Sequence, residues 1–226
     1  LLGLVGSEMC IRDRVTGIDI AQGRVTGVQT TRGQISAKKV GIVVAGRSGQ
    51  VAAMAGMRLP IESHVLQAFV TEGLKPCIDH VISFGMGHFY ISQSDKGGLV
   101  FGGDLDFYAS YAQRGNLPMK EHVMEAGMTL MPMIGKARVL RSWGGIMDMT
   151  PDGSPIIDKT DIEGLYIDCG WCYGGFKAVP ASGYCFAHLL ATDNHHEFAS
   201  GFRLDRFKTG YGLIDEEGTG SQHNLH

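Results

Sequence analysis

The sequence lacks the features that would place it in several large classes of protein. No apolar run in its 226 residues reaches the length needed to span a membrane. Its net charge of -3 provides no basic field, so we expect neither nucleic acid nor a membrane as a partner. The five cysteines, an odd number, argue against a disulfide framework and for a reducing compartment, the cytoplasm.

The sequence also lacks the spacing of a metal site. Cys169 and Cys172 form one CxxC pair, but Cys10, Cys77 and Cys185 supply no second pair. A tetrahedral zinc site needs further ligands at matching spacing, so we expect no metal. A redox dithiol at Cys169 and Cys172 stays open beside the favoured interpretation of two packing cysteines.

What is present is the composition of a globular protein. Hydrophobic residues make up 44% of the chain and charged residues 19%, which is enough to build a core. The first 14 residues, LLGLVGSEMCIRDR, do not begin with Met, and the character of the sequence changes abruptly at Val15. We therefore expect residues 1–14 to be a non-native segment and the natural start to lie elsewhere.

Residues 15–56 combine a predicted β-meander with a buried strand. Apolar alternation in VTGIDI and VTGVQT, separated by a turn, predicts two antiparallel strands, and a third follows near Ile35. The apolar run at 41–46 is typical of a strand buried in a parallel sheet, and Ser48 is a candidate N-cap. This order is typical of the later part of a dinucleotide-binding domain, although no GxGxxG follows any strand.

The rest of the chain divides into three parts. Strand-like alternation with a strong SDKGG turn predicts an antiparallel sheet over residues 57–148, with one helix over 120–131. Residues 149–200 return to short buried strands and a helix over 181–191. We expect the polar, glycine-rich tail at 201–226 to extend over a surface or a partner.

The run CGWCYGGFK at 169–177 is the strongest candidate site. It follows the apolar strand LYI and precedes a helical pattern, so Gly174 and Gly175 lie in a strand-to-helix connection. Glycines there let a ligand approach the main chain, and free N–H groups at a helix start favour negative charge. Lys177 adds a positive charge at the mouth. An ordinary glycine loop with a solvated lysine is the alternative that this local pattern leaves open.

Seven motifs, taken in order, resemble those of one family of flavoproteins. They are VTG at 15–17, AG at 45–46, YISQSDKG at 90–97, WGG at 143–145, PII at 155–157, the 169–177 run and LDRF at 204–207. Each motif alone is weak, but the ordered set covers the chain from Val15 to its C-terminus. The chain resembles the β subunits of heterotetrameric sarcosine oxidases, in the group of glycine oxidase and D-amino-acid oxidase.

The resemblance implies a fold and a chemistry. The fold class would be α/β with an α+β substrate part, in which the C-terminal portion of an FAD-binding Rossmann-like domain is interleaved with an antiparallel-sheet substrate domain. The enzyme would use FAD to oxidise the N-methyl amino acid sarcosine to glycine. Hydrogen peroxide would form, and the methyl carbon would pass to tetrahydrofolate or leave as formaldehyde. The α, γ and δ subunits would be partners, and covalent FMN a second cofactor.

The resemblance also maps site residues onto this chain. Lys177 would hold the substrate carboxylate. His88 and Tyr90, on the sheet expected to cover the flavin, are candidates for substrate-side contacts. The cofactor-binding set would be Val15, Ala45, Gly46, Cys172, Gly174, Gly175 and Lys177.

Two departures from the family pattern affect these expectations. Relatives usually carry Gly where this chain has Cys172, so a thiol would lie near the flavin. The family's phosphate loop, a second carboxylate-binding arginine and the histidine that carries covalent FMN would all lie upstream of Val15. We therefore expect this chain alone to be inactive and to bind little or no FAD, because nothing would cradle the pyrophosphate.

Two other functions stay open at this point. An N-methylglutamate dehydrogenase, or another secondary-amine dehydrogenase subunit, would use the same fold, and the residues present do not separate its substrate from sarcosine. From a different class, the chain would be a non-catalytic assembly module with a degenerate site. Lys177 and the glycine loop argue against the second alternative.

Overall fold

The computed structural model describes residues 13–85 and 89–208. Most of the predicted non-native segment (residues 1–12), the candidate His88, and the tail from 209 onward therefore lie outside the described residues. No helix within the described part of the chain is both long enough and apolar enough to cross a membrane.

The first described element is the predicted β-meander. Strands β1 (Val15–Ala21), β2 (Arg24–Thr30) and β3 (Gly33–Ser36) pair antiparallel in that order. The tight turn between β1 and β2 places Gln22 and Gly23 at φ of 52° and 76°, a conformation that glycine adopts readily. Ile18 and Val25 are buried and attach the meander to the core of the adjoining sheet.

A short strand and a short helix follow the meander. Strand β4 (Val40–Ile42) covers only part of the apolar run at 41–46, and the chain then forms a 3-10 turn (Ala45–Arg47) and helix α1 (Ser48–Met54). The prediction of a longer buried strand was wrong, because Val43 and Val44 are exposed beside a strand that pairs on one side only within the described residues. Ser48 is the first residue of α1, and its N-cap is Arg47.

A five-stranded antiparallel sheet forms the predicted substrate part. Its order is β6-β7-β8-β5-β9, with β5 (Glu62–Gly73), β6 (Ile82–Phe84), β7 (Phe89–Gln93), β8 (Gly98–Ala109) and β9 (Val139–Met149). Helix α2 (Leu117–Leu130) packs on one face of this sheet over Phe69 and Phe101. It begins three residues earlier than predicted, because Asn116 Oδ1 accepts a hydrogen bond from Met119 N at 2.9 Å and caps the helix.

The third sheet is the one that carries the candidate loop. Strand β10 (Ile156–Lys159) pairs antiparallel with β11 (Leu165–Cys169), and β11 pairs parallel with β4. Helix α3 (Gly175–Thr192) covers one face, where Phe186 packs against Gly41. The meander and α1 cover the other face. The mixture of a layered α/β part and an antiparallel part agrees with the fold class predicted from the sequence.

Helix α3 starts six residues earlier than the predicted range of 181–191. It runs through Pro180, which lacks an N–H and is normally disfavoured inside a helix. Gly175 and Lys177 consequently lie in the first turn of the helix and not in the loop before it.

Candidate functional site

Two segments predicted to bind a cofactor meet at one edge of the third sheet. The parallel strands β4 and β11 end side by side, and the 3-10 turn Ala45–Arg47 and the 169–177 run follow them. Ser48, which is fully buried, donates a hydrogen bond to Ala45 O at 2.6 Å. Ligands of open α/β sheets bind at the carboxyl ends of parallel strands, so this edge is the candidate site.

Gly46 fixes the first segment against the antiparallel sheet. A Cβ at Gly46 would lie 2.3 Å from the carbonyl oxygen of Ile146, and Gly46 O accepts a hydrogen bond from Ser63 Oγ at 2.8 Å. The backbone at Gly46 therefore lies closer to β9 than a residue with a Cβ atom would permit. This is a packing contact, and cofactor contacts by Ala45 and Gly46 stay predictions.

The loop after β11 is held from one side by Asp148. The Asp148 carboxylate accepts a hydrogen bond from Gly170 N at 2.5 Å, and its carbonyl oxygen accepts one from Cys172 N at 3.1 Å. Gly170 and Cys172 both have positive φ, 74° and 49°. The strained backbone at Cys172 is thus stabilised by β9, which supplies a partner for its N–H.

Asp168 holds the same loop from the other side. Its carboxylate accepts hydrogen bonds from Trp171 Nε1 at 2.6 Å and from Ser182 Oγ at 2.5 Å, which joins the loop to α3. Burial raises the pKa of Asp168, and burial together with the charge of Asp168 raises the pKa of Asp148. Two buried carboxylates, Asp148 on β9 and Asp168 on β11, therefore hold the loop between them.

Cys169 is poorly suited to thiolate chemistry. It is fully buried, and burial raises the pKa of its thiol well above the usual range, with the charges of Asp148 and Asp168 acting in the same direction. A nucleophilic or metal-binding cysteine needs the thiolate. These surroundings disfavour the redox dithiol and favour two packing cysteines.

The start of α3 presents free backbone donors beside Lys177. The N-cap residue Gly174 has no side chain to cap the helix, and the backbone N–H groups of Gly175, Phe176 and Lys177 donate no hydrogen bond to another described residue. Lys177 is exposed and forms no hydrogen bond or ion pair with another described residue, and its Cε would lie 4.0 Å from a Cβ placed on Gly174. A cation and uncapped N–H groups together suit an anionic ligand.

Tyr90 lies on the face of the antiparallel sheet opposite α2. Its neighbours Phe89 and Ile91 point into the core under α2, so Tyr90 points to the other face. A Cβ on its cross-strand partner Gly102 would lie 2.5 Å from the Tyr90 hydroxyl oxygen, which shows that the phenol ring crosses over this glycine. Burial raises the pKa of Tyr90, so the hydroxyl stays protonated and can donate a hydrogen bond.

The same face carries a second aromatic side chain, which the sequence interpretation did not assign to the site. Ala68 on β5 pairs with Gly102 on β8 and with Trp143 on β9. One cross-strand row of side chains on this face is therefore formed by Tyr90, Gly102, Ala68 and Trp143. The two central positions are small, and Trp143 is 48% exposed. Gly102 and Ala68 are both buried, and the Tyr90 ring lies over Gly102, so Trp143 is the exposed end of the row.

Val15 is not brought into this arrangement. It opens β1, pairs with Thr30 and is exposed, and none of the contacts described above includes it. Its cofactor contact stays a prediction, as does any contact by His88, which lies outside the described residues.

Several residues of the site were missed by sequence reasoning. One usable signal existed for Asp148, an acidic residue that interrupts an apolar strand three residues after a Gly-Gly pair. No local pattern identified Thr150, whose hydroxyl lies 3.6 Å from Cys172 Sγ. Asp168 follows LYI directly, where polar residues at strand ends often contribute to ligand sites.

The sequence and the structure both match known proteins over most of the chain. The family described as FAD dependent oxidoreductase matches residues 6–189. The sarcosine oxidase subunit beta of Rhizobium meliloti is 66% identical over 98% of this chain and 53% of that protein. The protein of the same name from Rhodobacter capsulatus is 46% identical over 97% of this chain and 53% of its own length.

Among solved structures, L-proline dehydrogenase from P. horikoshii superimposes with a TM-score of 0.77 at 27% identity. The match covers 89% of this chain and 55% of that one. The chain thus spans about half the length of the relatives it matches. The predicted fold class is confirmed by these matches.

Proposed function

The chain belongs to the family of FAD-dependent oxidoreductases, and on that premise we propose that it contributes one half of the flavin site of a sarcosine-oxidising subunit. The observation that carries the proposal is the meeting of the Ala45–Arg47 turn with the glycine loop and the exposed Lys177 at one sheet edge. The 66% identity to a sarcosine oxidase subunit beta supports the choice of substrate.

The residues at this edge fit a flavin dinucleotide. The uncapped N–H groups of Gly175, Phe176 and Lys177 are donors of the kind that bind electron-rich groups. The nearest atom to a Cβ placed on Gly174 would be 3.5 Å away, so a ligand can approach the main chain there. FAD, when bound, would accept a hydride, which carries two electrons, from a carbon attached to the amine nitrogen.

Lys177 is proposed to bind the carboxylate of the substrate. Sarcosine carries one carboxylate and one secondary amine, and the Lys177 ammonium group at the start of the helix suits the carboxylate. The hydride leaves the N-methyl carbon, and the resulting imine gives glycine and formaldehyde on reaction with water. The electrons pass to oxygen, which forms hydrogen peroxide.

The row from Tyr90 to Trp143 is proposed to face the substrate. Trp143 at one end of the row is half-exposed, and the Tyr90 hydroxyl at the other end is a protonated donor. A small secondary amine would be enclosed between the two aromatic side chains, where its cationic form gains from the rings.

A chimeric protein tests the proposal. In it, this chain replaces the matching segment of the Rhizobium meliloti protein, and the partner subunits are supplied by co-expression. We expect a yellow protein that consumes oxygen with sarcosine, and a lower kcat/KM with N-methylglutamate. A preference for N-methylglutamate would identify the protein as a subunit of an N-methylglutamate dehydrogenase. A colourless chimera would overturn the flavin role.

The assembly of the protein is proposed from its relatives. Proteins named as β subunits imply other subunits, and we propose α, γ and δ chains, with covalent FMN and transfer of the methyl carbon to tetrahydrofolate. The odd number of cysteines supports a cytoplasmic location. Co-purification of the chimera with the three other chains tests the assembly. A chimera that assembles but neither binds flavin nor turns over substrate would favour the non-catalytic module.

A further inference from the structure

A buried ion pair joins the C-terminal segment of the described chain to the turn after β9. Arg206 Nε donates to Asp152 Oδ2 at 2.8 Å and Arg206 Nη2 to Asp152 Oδ1 at 3.1 Å, a two-point contact across 54 residues. Arg206 is 8% exposed and Asp152 2%. A buried pair of this kind contributes little net stability compared with apolar packing, so its presence calls for another role.

The guanidinium also reaches the main chain of that turn. Arg206 Nη2 donates to Ser154 O at 2.8 Å, and the same carbonyl oxygen accepts a hydrogen bond from Thr150 Oγ1 at 2.8 Å. Asp152 Oδ1 further accepts from Ser154 N at 3.2 Å. The turn is therefore closed internally, and among the described contacts the Arg206 side chain holds it from outside.

Thr150 connects this turn to the glycine loop by direct contact. It is fully buried, its hydroxyl lies 3.6 Å from Cys172 Sγ, and a Cβ on Gly170 would lie 2.4 Å from Thr150 Cγ2. A shift of Thr150 therefore displaces Gly170 and Cys172, the two loop residues with positive φ.

We propose that Arg206 is a positioning residue for the candidate flavin loop, acting through Asp152 and Ser154 on Thr150 and through Thr150 on Gly170 and Cys172. Only the identity of the ligand at the loop rests on the proposed function. The arrangement of the loop itself is a property of this chain without any ligand, so the two are tested separately.

The test measures the rate at which N-ethylmaleimide alkylates each cysteine of the flavin-free 226-residue chain, by peptide mass spectrometry. Cys77 is exposed and serves as the reference, whereas Cys169 and Cys185 are buried and report any general loosening. The variants are Arg206→Met and Arg206→Lys. The matched control is Arg203→Met, which removes an exposed arginine paired with the exposed Asp205 two residues away.

We expect Arg206→Met to raise the alkylation rate of Cys172 roughly tenfold or more relative to Cys77, because loss of one partner leaves a buried charge and opens the turn locally. Arg206→Lys, which keeps the charge, should give an intermediate rate, and Arg203→Met should change nothing. An unchanged Cys172 rate would overturn the proposal. So would a parallel rise at Cys169 and Cys185, which would show that Arg206 only stabilises the whole fold. A colourless chimera would leave this result standing and refute the flavin role alone.

Discussion

The carboxylate of Asp148 accepts a hydrogen bond from the backbone N–H of Gly170 at 2.5 Å, across 22 residues and between two sheets. Asp148 is buried at the end of β9, and Gly170 begins the loop after β11. Burial raises the pKa of Asp148 although this hydrogen bond acts in the opposite direction. The bond therefore holds an ionisable group in surroundings that favour its neutral form.

The raised pKa predicts a defined pH dependence of stability. Between the ordinary Asp value and the raised one, the folded chain binds more protons than the unfolded chain, so the free energy of unfolding falls as the pH rises through this interval. We expect Asp148→Asn to make that fall smaller. Urea unfolding of the chain at several pH values from about 4 to about 7 measures it. Asp95→Asn, in an exposed turn, is the control, and an equal slope in both variants would contradict the assignment.

Lys177→Met in the chimera should raise KM for sarcosine on the order of a hundredfold, because a carboxylate would lose its charged partner. Rates are normalised to bound flavin, since the flavin content of each preparation measures any separate effect on the cofactor. Lys177→Arg should recover part of the affinity. Lys96→Met, in the exposed SDKGG turn, is the control. Kinetics like those of the parent would exclude Lys177 from substrate binding.

Gly46→Ala should destabilise the chain by about 1–3 kcal/mol, because the new Cβ has no room beside the Ile146 carbonyl. Gly183→Ala is the matched comparison. Gly183 lies on the exposed side of α3, no atom comes within 4 Å of the position that a Cβ would take there, and alanine should add about 0.5–1 kcal/mol of stability. Urea unfolding of the two variants gives the comparison. Equal effects would mean that Gly46 is not closely packed.

Cys172→Gly should stabilise the chain relative to Cys172→Ala by about 1 kcal/mol, because φ at this position is 49° and side chains with a Cβ are strained there. Both variants remove the sulfur, so their difference isolates the backbone effect. Thermal or urea unfolding measures it. A Cys172→Ala variant as stable as the glycine variant would show that the loop relaxes without strain.

Trp143→Ala in the chimera should raise the kcat/KM for glycine derivatives with larger N-substituents by roughly tenfold relative to sarcosine. The reason is that one of the two aromatic side chains proposed to enclose the substrate is removed. Leu140→Ala is the control, since Leu140 is an exposed apolar residue of the same strand outside the row. Steady-state oxygen uptake with sarcosine and N-ethylglycine gives the ratio. An unchanged ratio would remove Trp143 from the substrate face.

Local pattern predicted most of the strands and turns. The alternation around Ile18 and Val25 and the glycine of the first turn are local signals, and they predicted the meander as found. The position of Gly174 between a strand and a helix was likewise predictable from the neighbouring apolar patterns, whereas Gly175 lies inside the helix. These features depend on residues close in sequence.

The errors and omissions depend on residues far apart in sequence. Helix α3 starts at Gly175 although two glycines and Pro180 have low helix propensity, and the Asp168 contact with Ser182 joins the helix to β11 two turns past its start. Ser48 did not cap α1, since its hydroxyl donates to Ala45 O. The Arg206 contact with Asp152 spans 54 residues, and no local pattern indicates it.

The two carboxylates that hold the glycine loop belong to different sheets. Asp148 lies on β9 of the antiparallel sheet, and Asp168 lies on β11 of the sheet that contains the parallel pair. A change in the angle between these sheets would therefore strain the hydrogen bonds by which Asp148 holds Gly170 and Cys172, while Trp171 would stay with Asp168. The conformation of the loop thus depends on that angle, and a partner that rotated one sheet against the other would alter the affinity of the site without touching it.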